Sequence, residues 1–528
     1  MLTCGLLKST YTSGRCCSES LNSTVDPSLL LTPSLCESVY KAKVERPTPH
    51  IVLPSGCVQS LRKTGGTLYI YNESSPVAEW SEIIDLGERV MTSTESCFPR
   101  STPHMVLPSP SHDLVAISYT ADSFVHLMDV KTRQIVSCLS VSHVEGSLIH
   151  TGSWYSYNNR LYFVMVDMTG KVDGATGGGG LHLWEVEGTN STLLHSWSAP
   201  LSLGLLTSET KPIATGGHYT NPNGVLYVTD AKQGGGYFVD ISTREIVLVG
   251  HITMEQLAPE CNHGGGLWVY PHPERDDRLV AQYGTQVLGK SCLVDLNIHT
   301  KQLIRKFSLS PNALDAHGLV FCEAGGHQYM MNTNRVSRTM DIVNYTSGTL
   351  ERSDIDLNDL FYGHFAPVDD TCVDSPPPDE TDKRFQPDVL SKRGNILYQP
   401  TRGRHPFSAV APNNRLPYAA PGLYSYRMSE DCLSVYRSED DISLPAHDAT
   451  STLKAADPHG GDVVGEEEVW MIDQAPTGLT VYCDDVTLAY VPNMVDEPPR
   501  SCPGFLSPFP PSPPPADFSD NGMGEFGR

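Results

Sequence analysis

The octet Thr48-Pro-His-Ile-Val-Leu-Pro-Ser55 returns as Thr102-Pro-His-Met-Val-Leu-Pro-Ser109, 102 − 48 = 54 residues later. Two octets this alike mark an internal repeat rather than a bias of composition. A second series follows: Val125-His-Leu-Met-Asp129, Leu181-His-Leu-Trp-Glu185, Tyr237-Phe-Val-Asp240, Cys292-Leu-Val-Asp295 and Arg338-Thr-Met-Asp341. Their acidic ends are spaced by 185 − 129 = 56, 240 − 185 = 55, 295 − 240 = 55 and 341 − 295 = 46 residues. Between them lie β-branched and aromatic runs such as Leu161–Val166 and Val225–Thr229, punctuated by Gly, Pro, Asn and Asp, and helical periodicity is nearly absent. Four short antiparallel strands in a unit of roughly 50 residues are one blade of a β-propeller, and radial repetition leaves few open strand edges.

The expected fold is therefore all-β, a propeller of seven blades near 48–88, 102–141, 148–198, 212–253, 262–308, 315–357 and 385–437. The stretches 457–464 and 468–472 remain over, and their pairing with the N-terminal unit would close the ring; an eighth, partial blade is the alternative. The expected organisation is a poorly ordered segment over 1–47, the propeller over 48–474 with an acidic, Pro-containing insertion at 358–384, and a Pro-rich, largely disordered tail over 475–528.

With 61 acidic and 37 basic side chains the formal net charge is −24, which excludes the broad basic face of a nucleic-acid binder. The hydrophobic share of 39% suffices for a core, and no apolar run approaches the roughly 18 residues of a membrane-spanning helix. The first ten residues hold no apolar stretch readable as a signal peptide. The 14 cysteines, scattered from Cys4 to Cys502 without CxxC spacing, indicate neither a zinc knuckle nor a dense disulfide framework, so the compartment stays open.

Histidine opens the first strand of unit after unit: His50, His104, His150, His218, His263, His317 and His459. The innermost strand of a blade lines the central channel, so these imidazoles are expected at a shared mouth. Neutral imidazoles converging there suit Zn, Cu or Fe, and His104, His150, His218, His263, His317 and His459 are the candidate metal ligands. The alternative is a set of repeat-inherited histidines bonded to loops and channel water. Asp315, Asp457, Asn262 and Glu260 lie close enough in sequence to orient the rings, or simply to cap turns. Glycine after histidine at Gly264, Gly318 and Gly460 is expected to let backbone approach a ligand.

In order along the chain, Thr102-Pro-His-Met, Asp122–Asp129, Gly234–Asp240, Asp315-Ala-His-Gly-Leu-Val320, Pro387-Asp388, Thr401–Pro406, Ala420–Leu423 and Asp457-Pro-His-Gly460 resemble the YVTN-repeat β-propeller proteins, a family of WD40-like repeat rings, over about 48–474. The resemblance implies the ring and its channel. Among seven-bladed relatives it brings to mind lactone hydrolases and metal-dependent oxidases.

Three other matches lead elsewhere. Gly284-Thr-Gln-Val-Leu-Gly-Lys-Ser291 fits the phosphate-loop pattern letter for letter, but a strand-like Cys292–Leu296 follows where that chemistry needs a helix N-terminus. It reads as a hairpin connection in the fifth blade. Arg402, Arg404 and His405 could hold an anion at the mouth, or form a solvated loop. No G-x-S-x-G or H-E-x-x-H occurs. The expected function is a ligand- or metal-binding propeller, with metal-dependent redox chemistry first, lactone or ester hydrolysis second, and a non-enzymatic protein scaffold third. The expected partner is accordingly a small molecule or metal at the mouth, or another protein.

Overall fold

The computed structural model describes residues 59–483 and 486–492, apart from short gaps and the longer stretches 93–96, 169–178, 200–211, 215–223, 258–260, 285–290, 358–385, 403–421 and 446–457. Seven small antiparallel sheets form a ring, a seven-bladed β-propeller. Six blades run inner to outer in chain order: 103–140, 149–198, 212–252, 266–308, 316–356 and 386–445. The remaining blade is composite. Strands Pro458–Val464 and Glu468–Asp473 supply its inner half, and Thr67–Asn72 and Trp80–Asp85 its outer half. Thr67 pairs with Asp473 and Asn72 with Glu468, so the two ends of the ring are joined by a ladder of backbone hydrogen bonds.

Residue alternation explains why this closing blade is apolar on both faces. Leu68, Ile70, Trp470 and Ile472 pack with Val115 and Ile117 of the second blade. Their neighbours Tyr69, Tyr71, Val469 and Met471 pack with Tyr398, Leu423 and Leu444 of the seventh. A period of two sends successive side chains to opposite faces, and a blade sandwiched between two others buries both.

The acidic series of the sequence sits on the third strand of its blades. Glu185 pairs with Arg160 of its own blade and Arg244 of the next, and Asp295 with Arg278 and Arg305. Gly284 and Ser291 flank a connection between strands Arg275–Tyr283 and Cys292–Asn297, a hairpin position, as expected for the rejected phosphate loop.

Three expectations change. The chain past 474 does not begin as a tail: Gly478–Cys483 and Val486–Pro492 pair with each other, and Gln59–Thr64 pairs with the former, making an eighth, three-stranded sheet outside the blades. β-Branched and aromatic residues such as Thr480, Val481, Tyr482, Val486, Thr487 and Tyr490, split by Asp484-Asp485, account for it. The seventh blade extends beyond 437, because Ser443–Pro445 pairs with Gly422–Tyr424. Disulfides Cys97–Cys138, Cys261–Cys292 and Cys322–Cys432 join cysteines that sequence spacing left unmatched, since the ring brings together residues 41, 31 and 110 apart. Segments 1–47, 358–384 and 493–528 lie outside the described residues. No described helix is long and apolar enough to cross a membrane.

Candidate functional site

Five inner strands carry a register shift at the residue that faces the axis. The shifts fall between Pro103 and Val106, Ile149 and Thr151, Gly266 and Val269, Ala316 and Gly318, and Pro458 and Gly461. His104, His150, Trp268, His317 and His459 sit within them. A bulge adds one residue to one strand and re-aims its side chain, here toward the channel.

The rings meet. His104 lies 4.0 Å from His150 and 4.1 Å from His459 between centroids, and His317 lies 6.2 Å from His459. Trp268 stands 5.8 Å from His317 and 6.3 Å from His150. His104 Nδ1 lies 3.1 Å from the His150 carbonyl. A carbonyl only accepts, so Nδ1 carries the proton of the neutral ring.

Carboxylates tie these rings together. Buried Asp388, just after the Gln386–Pro387 strand of the seventh blade, puts Oδ1 3.1 Å from His317 Nε2 and Oδ2 3.5 Å from His459 Nε2. Arg335, in the turn after strand His327–Asn334, donates from Nε to Asp315 Oδ2 at 2.6 Å and places Nη1 3.2 Å from His317 Nε2. His317 Nδ1 is 3.6 Å from Asp315 Oδ1, too long for a hydrogen bond. His317 Nε2 therefore faces an acceptor and a donor at once, and one ring nitrogen can satisfy only one of them.

Electrostatics follow from burial. His150 is held neutral, its pKa lowered to about 3 by desolvation and by the charges of His317 and Arg335, against a smaller opposing pull from Asp388. Burial alone would raise Asp315, but Arg335 and His317 reverse it and hold the carboxyl at about 2. Asp315 also carries a left-handed backbone (φ 62°) unusual for a non-glycine, and its carbonyl accepts from the Arg335 amide at 2.8 Å.

Of the six histidines expected as ligands, His104, His150, His317 and His459 converge on the axis, while His218 and His263 lie outside the described residues. So do His50, Glu260, Asn262, Asp457, Arg404 and His405. In the fifth blade the axial position belongs to Trp268. Of the glycines after histidine, Gly264 lies outside the described residues, and at Gly318 and Gly460 the close approach is to neighbouring backbone. A Cβ at Gly318 would lie 2.7 Å from the Leu390 amide nitrogen, and one at Gly460 2.6 Å from the His104 carbonyl oxygen. These glycines let neighbouring blades close on each other beside the axial histidines. Asp388, Arg335 and Trp268 escaped sequence reasoning. The dipeptide Pro387-Asp388 drew notice only as a shared motif, and nothing local marks Arg335 or Trp268.

The set His317, Asp388 and His459 places one ligand atom from each residue within 4.8 Å of the others, all three buried. Two imidazoles and a carboxylate are a donor set for Zn or Fe with coordination positions left over.

No protein-family model and no curated protein sequence matches the chain. Several solved structures align with the chain at low similarity. The RRP9 WD40 repeats align with TM-score 0.45 at 8% identity, over 71% of this chain and 96% of theirs. Kuenenia stuttgartiensis hydrazine synthase aligns with TM-score 0.42 at 11% identity, over 77% and 99%. The Pseudomonas aeruginosa periplasmic gluconolactonase PpgL aligns with TM-score 0.41 at 12% identity, over 74% and 96%.

Proposed function

We propose that this propeller binds a divalent transition metal at its axis through His317, Asp388 and His459, with His104 and His150 walling the site. The carrying observation is the donor set itself: one ligand atom from each of His317, Asp388 and His459 lies within 4.8 Å of the others, and all three residues are buried. A cation between the rings and the carboxylate would draw on the lone pairs of all three. A separation of up to 4.8 Å exceeds the roughly 4.2 Å allowed by two bonds of about 2.1 Å, so binding would draw the three residues slightly inward. Such an ion would supply Lewis acidity or a redox couple, fitting a metal-dependent oxidoreductase first and a lactone or ester hydrolase second. Arg335 fixes Asp315, the bulges aim the rings, and the blade cores keep bulk water away from the ligands. We extend the reading to kinship with YVTN-repeat propellers, supported by the order of the shared motifs.

Elemental analysis of protein purified without chelator tests this. About one equivalent of Zn, Cu or Fe is expected, lost in His317→Ala, His459→Ala and Asp388→Asn. Substoichiometric metal unchanged by these substitutions would overturn it. With metal confirmed, lactone turnover abolished by chelator would select hydrolysis over redox chemistry.

A further inference from the structure

Each of the six cysteines whose side chains are described is disulfide-bonded: Cys97 to Cys138, Cys261 to Cys292 and Cys322 to Cys432. Three bridges in one chain, with no described thiol left over, are the mark of an oxidising compartment, because glutathione and thioredoxin keep cysteines reduced in the cytosol. In a secretory lumen, the asparagine of an Asn-x-Ser/Thr triplet is also where an oligosaccharide is attached.

The sequence carries that triplet at Asn22, Asn72, Asn190 and Asn344, and Asn22 lies outside the described residues. Asn344 is 6% exposed, and its Oδ1 accepts from the Ser347 amide at 3.0 Å, so a bulky polar substituent there would be stripped of water. Asn72 is half-buried in the closing blade, and its Oδ1 accepts from the Ser74 amide at 2.8 Å and the Ser74 hydroxyl at 2.6 Å. Asn190 stands apart from both. Gly188 and Thr189 form the tip between strands Gly180–Glu187 and Asn190–Ser198, Glu187 pairs with Asn190 across it, and all four residues are exposed. Gly188 has φ 61°, and a Cβ added there would meet nothing within 4 Å, so the tip projects into open space. The period of two along the strand puts Asn190 and Thr192 on one face, both exposed, while Ser191 between them turns to the neighbouring blade with its Oγ 3.0 Å from Ser137 Oγ. The carboxamide and the hydroxyl of this triplet therefore share the solvent side of the outermost strand of their blade.

We infer that Asn190 carries an N-linked oligosaccharide at the rim of the ring, and that Asn344 stays bare. The donor is a lipid-diphosphate-linked oligosaccharide. A bond forms between Asn190 Nδ2 and the anomeric carbon, the bond from that carbon to the diphosphate oxygen breaks, the lipid diphosphate leaves, and a base of the transferase takes one amide proton. The site is remote from the axial histidines in the repeat and does not depend on a metal there.

Peptide mass analysis of the protein isolated from the organism that makes it tests the inference. Free thiols are alkylated before reduction, and enzymatic deglycosylation in heavy-oxygen water then turns each modified asparagine into an isotopically marked aspartate. The Asn190 peptide should be marked in most molecules and the Asn344 peptide in none, with the six cysteines unalkylated. In the same cells Asn190→Gln and Thr192→Ala should each remove the mass of one oligosaccharide, the second while sparing the asparagine. An unmarked Asn190 peptide overturns the proposal. So does a mark on Asn344 as frequent as that on Asn190, which would show that exposure in the ring does not decide the site. Alkylation of all six cysteines before reduction overturns the compartment on which the proposal rests.

Discussion

Gly460→Ala is a direct test of how the closing and second blades pack against each other. A methyl at that position would meet the His104 carbonyl oxygen at 2.6 Å, the Met105 Cα at 2.7 Å and the Met105 Sδ at 3.2 Å. Carbon contacts become favourable only near 3.5 Å, so the inner strands of the closing and second blades would have to part by close to 1 Å. Two of the three atoms met belong to backbone in a bulged strand and cannot swing aside as a side-chain tip could. Overpacking of this kind costs about 1–3 kcal/mol. Gly465→Asn is the control: it sits at φ 62° with nothing within 4 Å of its added Cβ, and asparagine tolerates that conformation. Urea unfolding followed by tryptophan fluorescence should show a clearly lower midpoint for Gly460→Ala and a shift within about 0.5 kcal/mol for Gly465→Asn. Equal midpoints for Gly460→Ala and wild type would show that the strands are not closed on each other there, and that the glycine serves something else.

Other consequences are checked as readily. His126 is buried with Tyr119 Oη 2.7 Å from Nδ1 and the Cys97 carbonyl 2.8 Å from Nε2, a pairing that a neutral ring satisfies at both nitrogens, and burial lowers its pKa to about 4 from 6.5. The unfolded chain then binds more protons between those values, so stability is full above pH 6.5 and falls as the pH drops toward 4, by about 3 kcal/mol at most; His126→Asn should flatten that slope, and an unchanged slope would contradict the assignment. Arg133 bonds Glu82 at 3.2 Å and also Glu468, and lies 4.8 Å over Trp470, while Arg393 bonds Glu73 and the carbonyls of Gly465 and Glu468, so each arginine fastens the closing blade to a neighbour. Arg133→Ala and Arg393→Ala should each cost about 1 kcal/mol in chemical denaturation and add in the double variant, because Arg133 uses the Glu468 side chain and Arg393 its backbone carbonyl, so no side-chain partner is shared. Cys322–Cys432 spans 110 residues between blades six and seven, and the paired substitution Cys322→Ser/Cys432→Ser should cost about 4–5 kcal/mol if loop entropy governs; alkylation of unreduced protein with mass analysis would test the pairing, which fails if both thiols label.

The ring was legible because its rule is local. Each blade repeats the same order of apolar strand and turn, so octets 54 residues apart and acidic ends at near-constant spacing carry the period, and Asp129, Glu185, Asp240, Asp295 and Asp341 do fall on third strands. The leftover stretches 457–464 and 468–472 could be matched to the N-terminal unit because an open blade would strand two edges. Pairing that crosses the whole chain without any repeat behind it was not legible. Gln59–Thr64 joins Gly478–Cys483 across more than 400 residues, and no period predicts that partner. The disulfides share this blindness, since spacing between cysteines says nothing of which blades abut.

At the axis the division is sharper. Histidine recurs at one place in the repeat, so His104, His150, His317 and His459 could be read as a convergent set before any fold was known. What turns convergence into a site is supplied by residues that break the repeat. Blade five puts Trp268 where others put histidine, blade seven offers Asp388 instead of a ring, and Arg335 enters from a turn between the second and third strands, not from an inner strand. A repeat reports what its units share, while a binding centre on a pseudo-symmetric axis must be asymmetric to hold one ligand in one orientation. Side chains that differ from blade to blade therefore carry the chemical information, and self-comparison of the sequence is the method least able to find them. For this chain that makes Asp388 a more telling substitution than any further histidine: metal content unchanged in Asp388→Asn would put the ion elsewhere and leave the axis a symmetric bundle of packing histidines.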